Sequence, residues 1–167
     1  MFHKDGYLLR PPVQEDTEGY YKNFDPLDGE VARLTGSKSR FSKEEVVEFF
    51  LNCLTDPDRR DFLIIAPGGQ IIGESVINEI DWAEKTANFR IAIFRPEYHD
   101  RGIGTWAVET VRDYGFRELK LETLTLDVFD FNPRAKRVYE KAGFRVTEVC
   151  GNEIIMALSR GEWGKQR

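Results

Sequence analysis

Histidine and cysteine are scarce in this chain, two of each among 167 residues. With only two histidines, His3 and His99, a histidine-built metal site is not expected. Cys53 and Cys150 have neither metal-site spacing nor the pattern of a secreted disulfide framework. Reduced thiols in a cytoplasmic setting are therefore the expectation. No apolar run approaches the ~18 residues of a membrane span, and the opening MFHKDGY lacks the apolar core of a signal peptide, so no membrane partner is expected. A basic surplus is missing too. Lys and Arg number 24 against 29 Asp and Glu, a formal charge of −5, which argues against nucleic acid and leans toward a small cationic partner. No repeat, low-complexity stretch or Pro/Ser-rich linker divides the chain, so one domain over residues 1–167 is expected.

What is present is a chain of alternating periods. YLLRP (7–11) reads as a strand stopped by Pro11 and Pro12, VQEDTEGYYKNF as weakly helical, and NFDPLDGE as loop. SKEEVVEFFLNCL is a better-signalled helix: Ser42 caps it, Glu45 completes a capping box, and Val46, Phe49, Phe50, Cys53 and Leu54 form its apolar stripe. DFLIIA, the turn PGGQ and IIGESVINEI read as a hairpin, with NFRIAIF as the next strand. GTWAVETVRDYGF is helical, with Ile103, Ala107, Val111 and Gly115 on one face. LETLTLDVF alternates strictly and reads as a strand. Asn132 and Pro133 start a further helix that Gly143 stops, and FRVTEVC and EIIMALS close the chain as two strands around Gly151 and Asn152. The order is β-α-α-β-β-β-α-β-α-β-β, an α/β sheet with a parallel portion in its middle.

Between NFRIAIF and the helix after it lie Gly102 and Gly104, where serine or aspartate would cap better. Gly102-x-Gly104-x-x-Ala107 formally matches a dinucleotide fingerprint, but RPEYHD intervenes between strand and helix, and no βαβ unit opens the chain. A P-loop fails for want of Gly-Lys-Ser/Thr. The remaining functional reading is a metal-free pyrophosphate cradle, in which the backbone N–H groups of residues 101–105 meet phosphates at the positive end of a helix, helped by Arg101. On the glycines alone, that reading and a plain tight turn stand level.

RPEYHDRGIGTWA followed by NPRAKRVYEKAGF resembles the GNAT superfamily of acetyl-CoA-dependent N-acyltransferases, the first segment its coenzyme loop and the second its Asn…Tyr…Gly-Phe helix. YLLRPPVQED is similar to the opening strand of the branch that includes ribosomal-protein N-terminal and spermidine/spermine acetyltransferases, and the likeness runs over a core of about 7–158. The resemblance implies a GNAT-like mixed, partly splayed sheet of about seven strands with four helices. It also implies acetyl-CoA as co-substrate, a single acetyltransferase domain, and a homodimer as the assembly to look for.

For the site, the resemblance implies Tyr139 as the acid that protonates the leaving thiolate, although a tyrosine on an apolar stripe is more often core. It implies the N–H near Ala92 on the thioester oxygen, Phe94 beside the pantetheine arm, and His99, Arg101, Gly102, Ile103, Gly104 and Thr105 around the coenzyme phosphates. His99 stands where the family carries Gln or Arg. Asn132 is a helix cap with an implied coenzyme contact, and Lys136 is a candidate phosphate ligand. Glu79 and Asp81 are candidates for the general base, Glu79 preferred, with solvated charges at a strand end as the plainer reading. The implied reaction is acetyl transfer to a primary amine, the acceptor a polyamine or other small cation. The alternatives are a protein N-terminus as acceptor, and a non-catalytic acyl-CoA-binding sensor.

Overall fold

The computed structural model describes residues 1–166, and its strands fall where apolar residues alternate. In chain order these are β1 (Phe2–Lys4), β2 (Tyr7–Arg10), β3 (Arg60–Ile65), β4 (Ile71–Asp81), β5 (Thr86–Ile93), β6 (Thr123–Phe129), β7 (Arg145–Cys150) and β8 (Glu153–Ser159). The helices are α1 (Thr17–Tyr21), α2 (Gly29–Thr35), α3 (Lys43–Thr55), α4 (Ile103–Arg117), α5 (Pro133–Lys141) and α6 (Arg160–Gly164). The expected capping chemistry is in place. Ser42 Oγ accepts from Glu45 N at 3.1 Å, and Asn132 Oδ1 accepts from Ala135 N at 3.4 Å with Pro133 opening α5. β1, α2 and α6 are additions to the expected elements. α2 occupies part of the stretch read as loop; Asp28 caps it by accepting from Glu30 N and Val31 N, and Gly36 ends it at φ 71°.

One eight-stranded sheet runs in the order β1-β2-β3-β4-β5-β6-β8-β7. Every neighbouring pair is antiparallel except β5 and β6, which are parallel. Their ladder covers only Thr86↔Thr123 to Asn88↔Thr125, although β5 continues to Ile93 and β6 to Phe129. Beyond Asn88 the two strands part, and the sheet opens as a V.

Two apolar cores flank the sheet. On one face α4, α5 and α6 pack Val108, Val111, Phe116, Ala142 and Trp163 against Phe62, Ile77, Phe89 and Leu124. On the other, α1 to α3 bring Tyr20, Val31, Val46 and Phe50 onto Leu63, Ile65, Ala92 and Phe94. Each such side chain, fully buried, contributes about 1.5–3 kcal/mol. Gly115 lets α4 approach closely, since a Cβ there would sit 2.9 Å from Ile77 Cδ1. The cores thus hold the two arms of the V at fixed positions while the gap between them stays open.

Candidate active site

The parting of β5 and β6 leaves a cleft of about 820 Å³, within the range of ligand pockets. Strand alternation places Asn88, Arg90, Thr125 and Asp127 on the α1–α3 face, opposite Phe89, Leu124 and Leu126. Tyr139 and the loop before α4 line the cleft from the other face. The cleft therefore passes through the sheet.

At the α4 end, Gly102 is the N-cap at φ 78° with no side chain capping the helix. Its Cβ position has nothing within 4 Å, so the backbone conformation, not crowding, calls for glycine there. Gly102, Gly104 and Thr105 line the cleft with an uncapped helix start, a ready site for an anion. Ile103 is buried in the core and offers only its backbone. His99 ties the loop together: Nε2 lies 3.1 Å from Ile93 O, and Nδ1 lies 2.9 Å from Arg134 Nη2. Arginine only donates, so Nδ1 accepts and Nε2–H donates to the carbonyl. Arg134 also reaches Asp100 at 3.2 Å. An uncapped helix start with Arg134 and Arg137 lining the same cleft fits a coenzyme pyrophosphate.

Tyr139 is 6% exposed on α5 and at the same time forms part of the cleft wall. Burial pushes its phenol well above the usual tyrosine range; Arg90 opposes the shift and Asp127 adds to it. The phenol therefore keeps its proton at neutral pH. Glu79 is exposed, lines the cleft, and sits at φ 52° where β4 carries one residue more than β5 between Asn78↔Asn88 and Asp81↔Thr86. This bulge re-aims its side chain.

β5 supplies backbone along the cleft. Phe94 N donates to Ile72 O across the β4 ladder at 2.7 Å, whereas Ile93 turns its carbonyl the other way, to His99. Alternation gives Ile91 the same orientation as Ile93 and sends the Ala92 N–H toward β4. The backbone groups freed for the cleft are thus those of Ile91 and Ile93. The opening comes from the departure of β6, because β5 stays in regular register with β4 from Asn88 to Ile93.

Four further expectations change with the geometry. Phe94 lies outside the cleft, in a second cavity on the α1–α3 face, its ring centroid 4.9 Å from that of Phe24. Asp81 lies away from the cleft; its Oδ1 accepts from Ala83 N and Glu84 N and holds the turn. Lys136 pairs with Glu140 along its own helix at 3.9 Å, and Arg101 lies over the Tyr98 ring at 5.6 Å. Neither cation lines the cleft; Arg134 and Arg137 do.

Sequence reasoning also passed over Glu74 in the middle of β4, buried and accepting from Tyr20 Oη at 2.9 Å. Nothing in the alternation of IIGESVINEI marks that residue as buried, because the strand is covered on both faces. Among the described residues no group of His, Cys, Asp and Glu is arranged to hold a metal, and no helix is long and apolar enough to cross a membrane.

The family model of the acetyltransferase (GNAT) domain matches residues 7–145. The spermidine N(1)-acetyltransferase of Escherichia coli strain K12 is 31% identical, the match covering 89% of this chain and 77% of that protein. A probable N-acetyltransferase of Bacillus subtilis is 31% identical over 85% of this chain and 76% of its own. Among solved structures, spermidine N-acetyltransferase from Vibrio cholerae in complex with CoA and spermine has a TM-score of 0.82 at 21% identity, covering 96% of this chain and 99% of that one. A dodecameric structure of spermidine N-acetyltransferase from Vibrio cholerae has a TM-score of 0.77 at 20% identity, covering 98% and 99%. The structural likeness bears on the fold; the family match together with the cleft bears on the chemistry. The chain belongs to the GNAT family and is an acetyl-CoA-dependent N-acetyltransferase.

Proposed function

We propose that the acceptor is a primary amine of a small polyamine, acetylated by direct attack within the cleft. The observation that carries this reading is the passage through the sheet. The coenzyme loop and Tyr139 stand on one face, and the Glu79 and Asp127 carboxylates also line the cleft, so donor and acceptor can approach from opposite sides without a covalent enzyme intermediate. The polyamine relatives and the acid surplus of the chain support the choice of a cation.

Acetyl-CoA supplies a thioester whose carbonyl carbon accepts the amine's electron pair. The uncapped α4 start, with Arg134 and Arg137, holds the phosphates. Backbone N–H groups at Ile91 and Ile93 face the developing oxyanion, a role moved here from the N–H of Ala92. Glu79 takes the proton of the attacking amine through water, and Tyr139 gives its phenolic proton to the departing sulfur. Asn132 caps α5 and thereby sets the position of Tyr139. A cytoplasmic setting and self-association of the chain go with this reading.

The test is a panel of spermidine, free amino acids, aminoglycosides and peptides with ribosomal-protein N-termini, incubated with acetyl-CoA and resolved by mass spectrometry. Acetylated spermidine as the dominant product supports the reading. An acetylated peptide N-terminus with untouched spermidine overturns it in favour of the protein-directed alternative.

A further inference from the structure

The second cavity, about 350 Å³, lies between α1–α3 and the sheet, and its floor carries a buried carboxylate, that of Glu74. Glu74 is 7% exposed, and on its strand Ile72 and Val76 are fully buried. A carboxylate in such a place is normally matched by a cation and several donors. Its neighbour Asp61 is matched in that way, with Arg59 Nε at 3.0 Å. Glu74 has one hydrogen-bond donor among the described residues, Tyr20 Oη, at 2.9 and 3.4 Å from its two oxygens, and no ion pair. Arg90 lines the cavity too, and acts on Glu74 only through its field.

The walls are aromatic. Tyr20, Phe24, Phe41 and Phe94 surround the space, with centroids 4.9 to 5.8 Å apart for Tyr20–Phe24, Tyr20–Phe94, Phe24–Phe41 and Phe24–Phe94. Ring faces of this kind attract a cation, and their edges accommodate a methylene chain. The cavity adjoins the cleft, since Val31, Thr35, Arg90 and Ala92 border both. Glu74 is also the cross-strand partner of Ala92, on the stretch of β5 that lines the cleft. A cation on Glu74 therefore sits one strand away from the stretch of β5 that lines the cleft.

We propose that this cavity is the acceptor's distal ammonium pocket: Glu74 holds one protonated amine of a di- or polyamine between aromatic walls while another amine reaches the cleft. This rests on the polyamine reading above and names the residue that enforces it. Glu74 is a specificity residue, separate from the proton-transfer roles of Glu79 and Tyr139.

Calorimetric titration of spermidine into the CoA-saturated protein tests the assignment apart from turnover. Glu74→Gln keeps size and the Tyr20 bond but removes the charge. Its spermidine Kd should rise about 10-fold or more, with CoA affinity unchanged as the check on folding. Tyr20→Phe keeps the carboxylate and should keep spermidine binding. In the wild type, kcat/KM for spermidine should exceed that for butylamine, and Glu74→Gln should erase the gap through KM with little change in kcat. Equal spermidine affinity in wild type and Glu74→Gln overturns the pocket while leaving polyamine acetylation standing. If Glu74→Gln fails to fold, a wild type that does not prefer spermidine to butylamine overturns it equally. A wild type that binds spermidine but never acetylates it overturns the proposed function and leaves the pocket intact.

Discussion

Two buried acids of opposite purpose flank the opened sheet, Tyr139 on α5 and Glu74 on β4. Burial raises Tyr139 and so secures the proton it is proposed to give away. Tyr139→Phe should lower kcat about 100-fold, the scale of a lost general acid, with acetyl-CoA binding and melting temperature near wild type; stopped-flow thiol release checks it, and unchanged kcat removes Tyr139 from the mechanism. Burial also raises Glu74, which then binds its proton more tightly folded than unfolded. Stability must therefore decline as pH rises from the ordinary carboxylate value near ~4.3 through the raised folded value, and level off above it. Glu74→Gln lacks this decline, so its melting temperature should match wild type in acid and exceed it at neutral pH. A gap that does not widen with pH contradicts the buried-charge account. That Tyr139, Asn132 and the two glycines would come together along one cleft was legible in the sequence, because the two motifs fix their offsets. Glu74 was not, since one glutamate in IIGESV carries no mark of the side from which helices cover it. Asp81 misled because a strand end and the turn beyond it look alike in letters.

Among the elements, the α4 start and the β4–β5 pair use glycine for different physical reasons. Gly102 needs its positive φ, and a methyl group there meets nothing. Gly102→Ala should cost about 1–2 kcal/mol of strain, keep the fold, and raise KM for acetyl-CoA about 10-fold by disturbing the helix start. Gly73 is needed for closeness: its Cβ would stand 2.4 Å from the Ala92 carbonyl oxygen and 3.1 Å from Ile93 Cα, backbone on both counts. Gly73→Ala should push β5 aside at the cleft and lower both melting temperature and kcat, overpacking of about 1–3 kcal/mol. Thermal melts with acetyl-CoA saturation curves separate the two, and equal effects on both parameters would contradict the distinction. Period and caps revealed most elements in advance. α2 was hidden by a proline-bearing loop before it, despite the Asp28 cap and Gly36 stop that bracket it. The splay came with the family resemblance and not with the alternation, which is the same in β5 and β6 whether three residues pair or seven.

The whole molecule is an open sheet with a hole through it and an unfinished edge. Every residue of β7 is exposed, and Val146 and Val149 are 44% and 63% exposed beside a free edge, a surface suited to pairing with another copy. Light scattering should show a multimer that Val149→Asp shifts toward smaller species. A monomeric wild type would contradict self-association through this edge. The resemblance in two motifs carried the family and the reaction and already put a polyamine first among the acceptors, while the residues that would face an acceptor lie on surfaces that only the packed sheet brings together. Saturation kinetics of thiol release with spermidine, set against a ribosomal-protein N-terminal peptide at the same acetyl-CoA concentration, test that acceptor most directly. Saturable release with spermidine, at a kcat/KM at least about 100-fold above the peptide's, is the result predicted. Release with spermidine no faster than without any amine would contradict it.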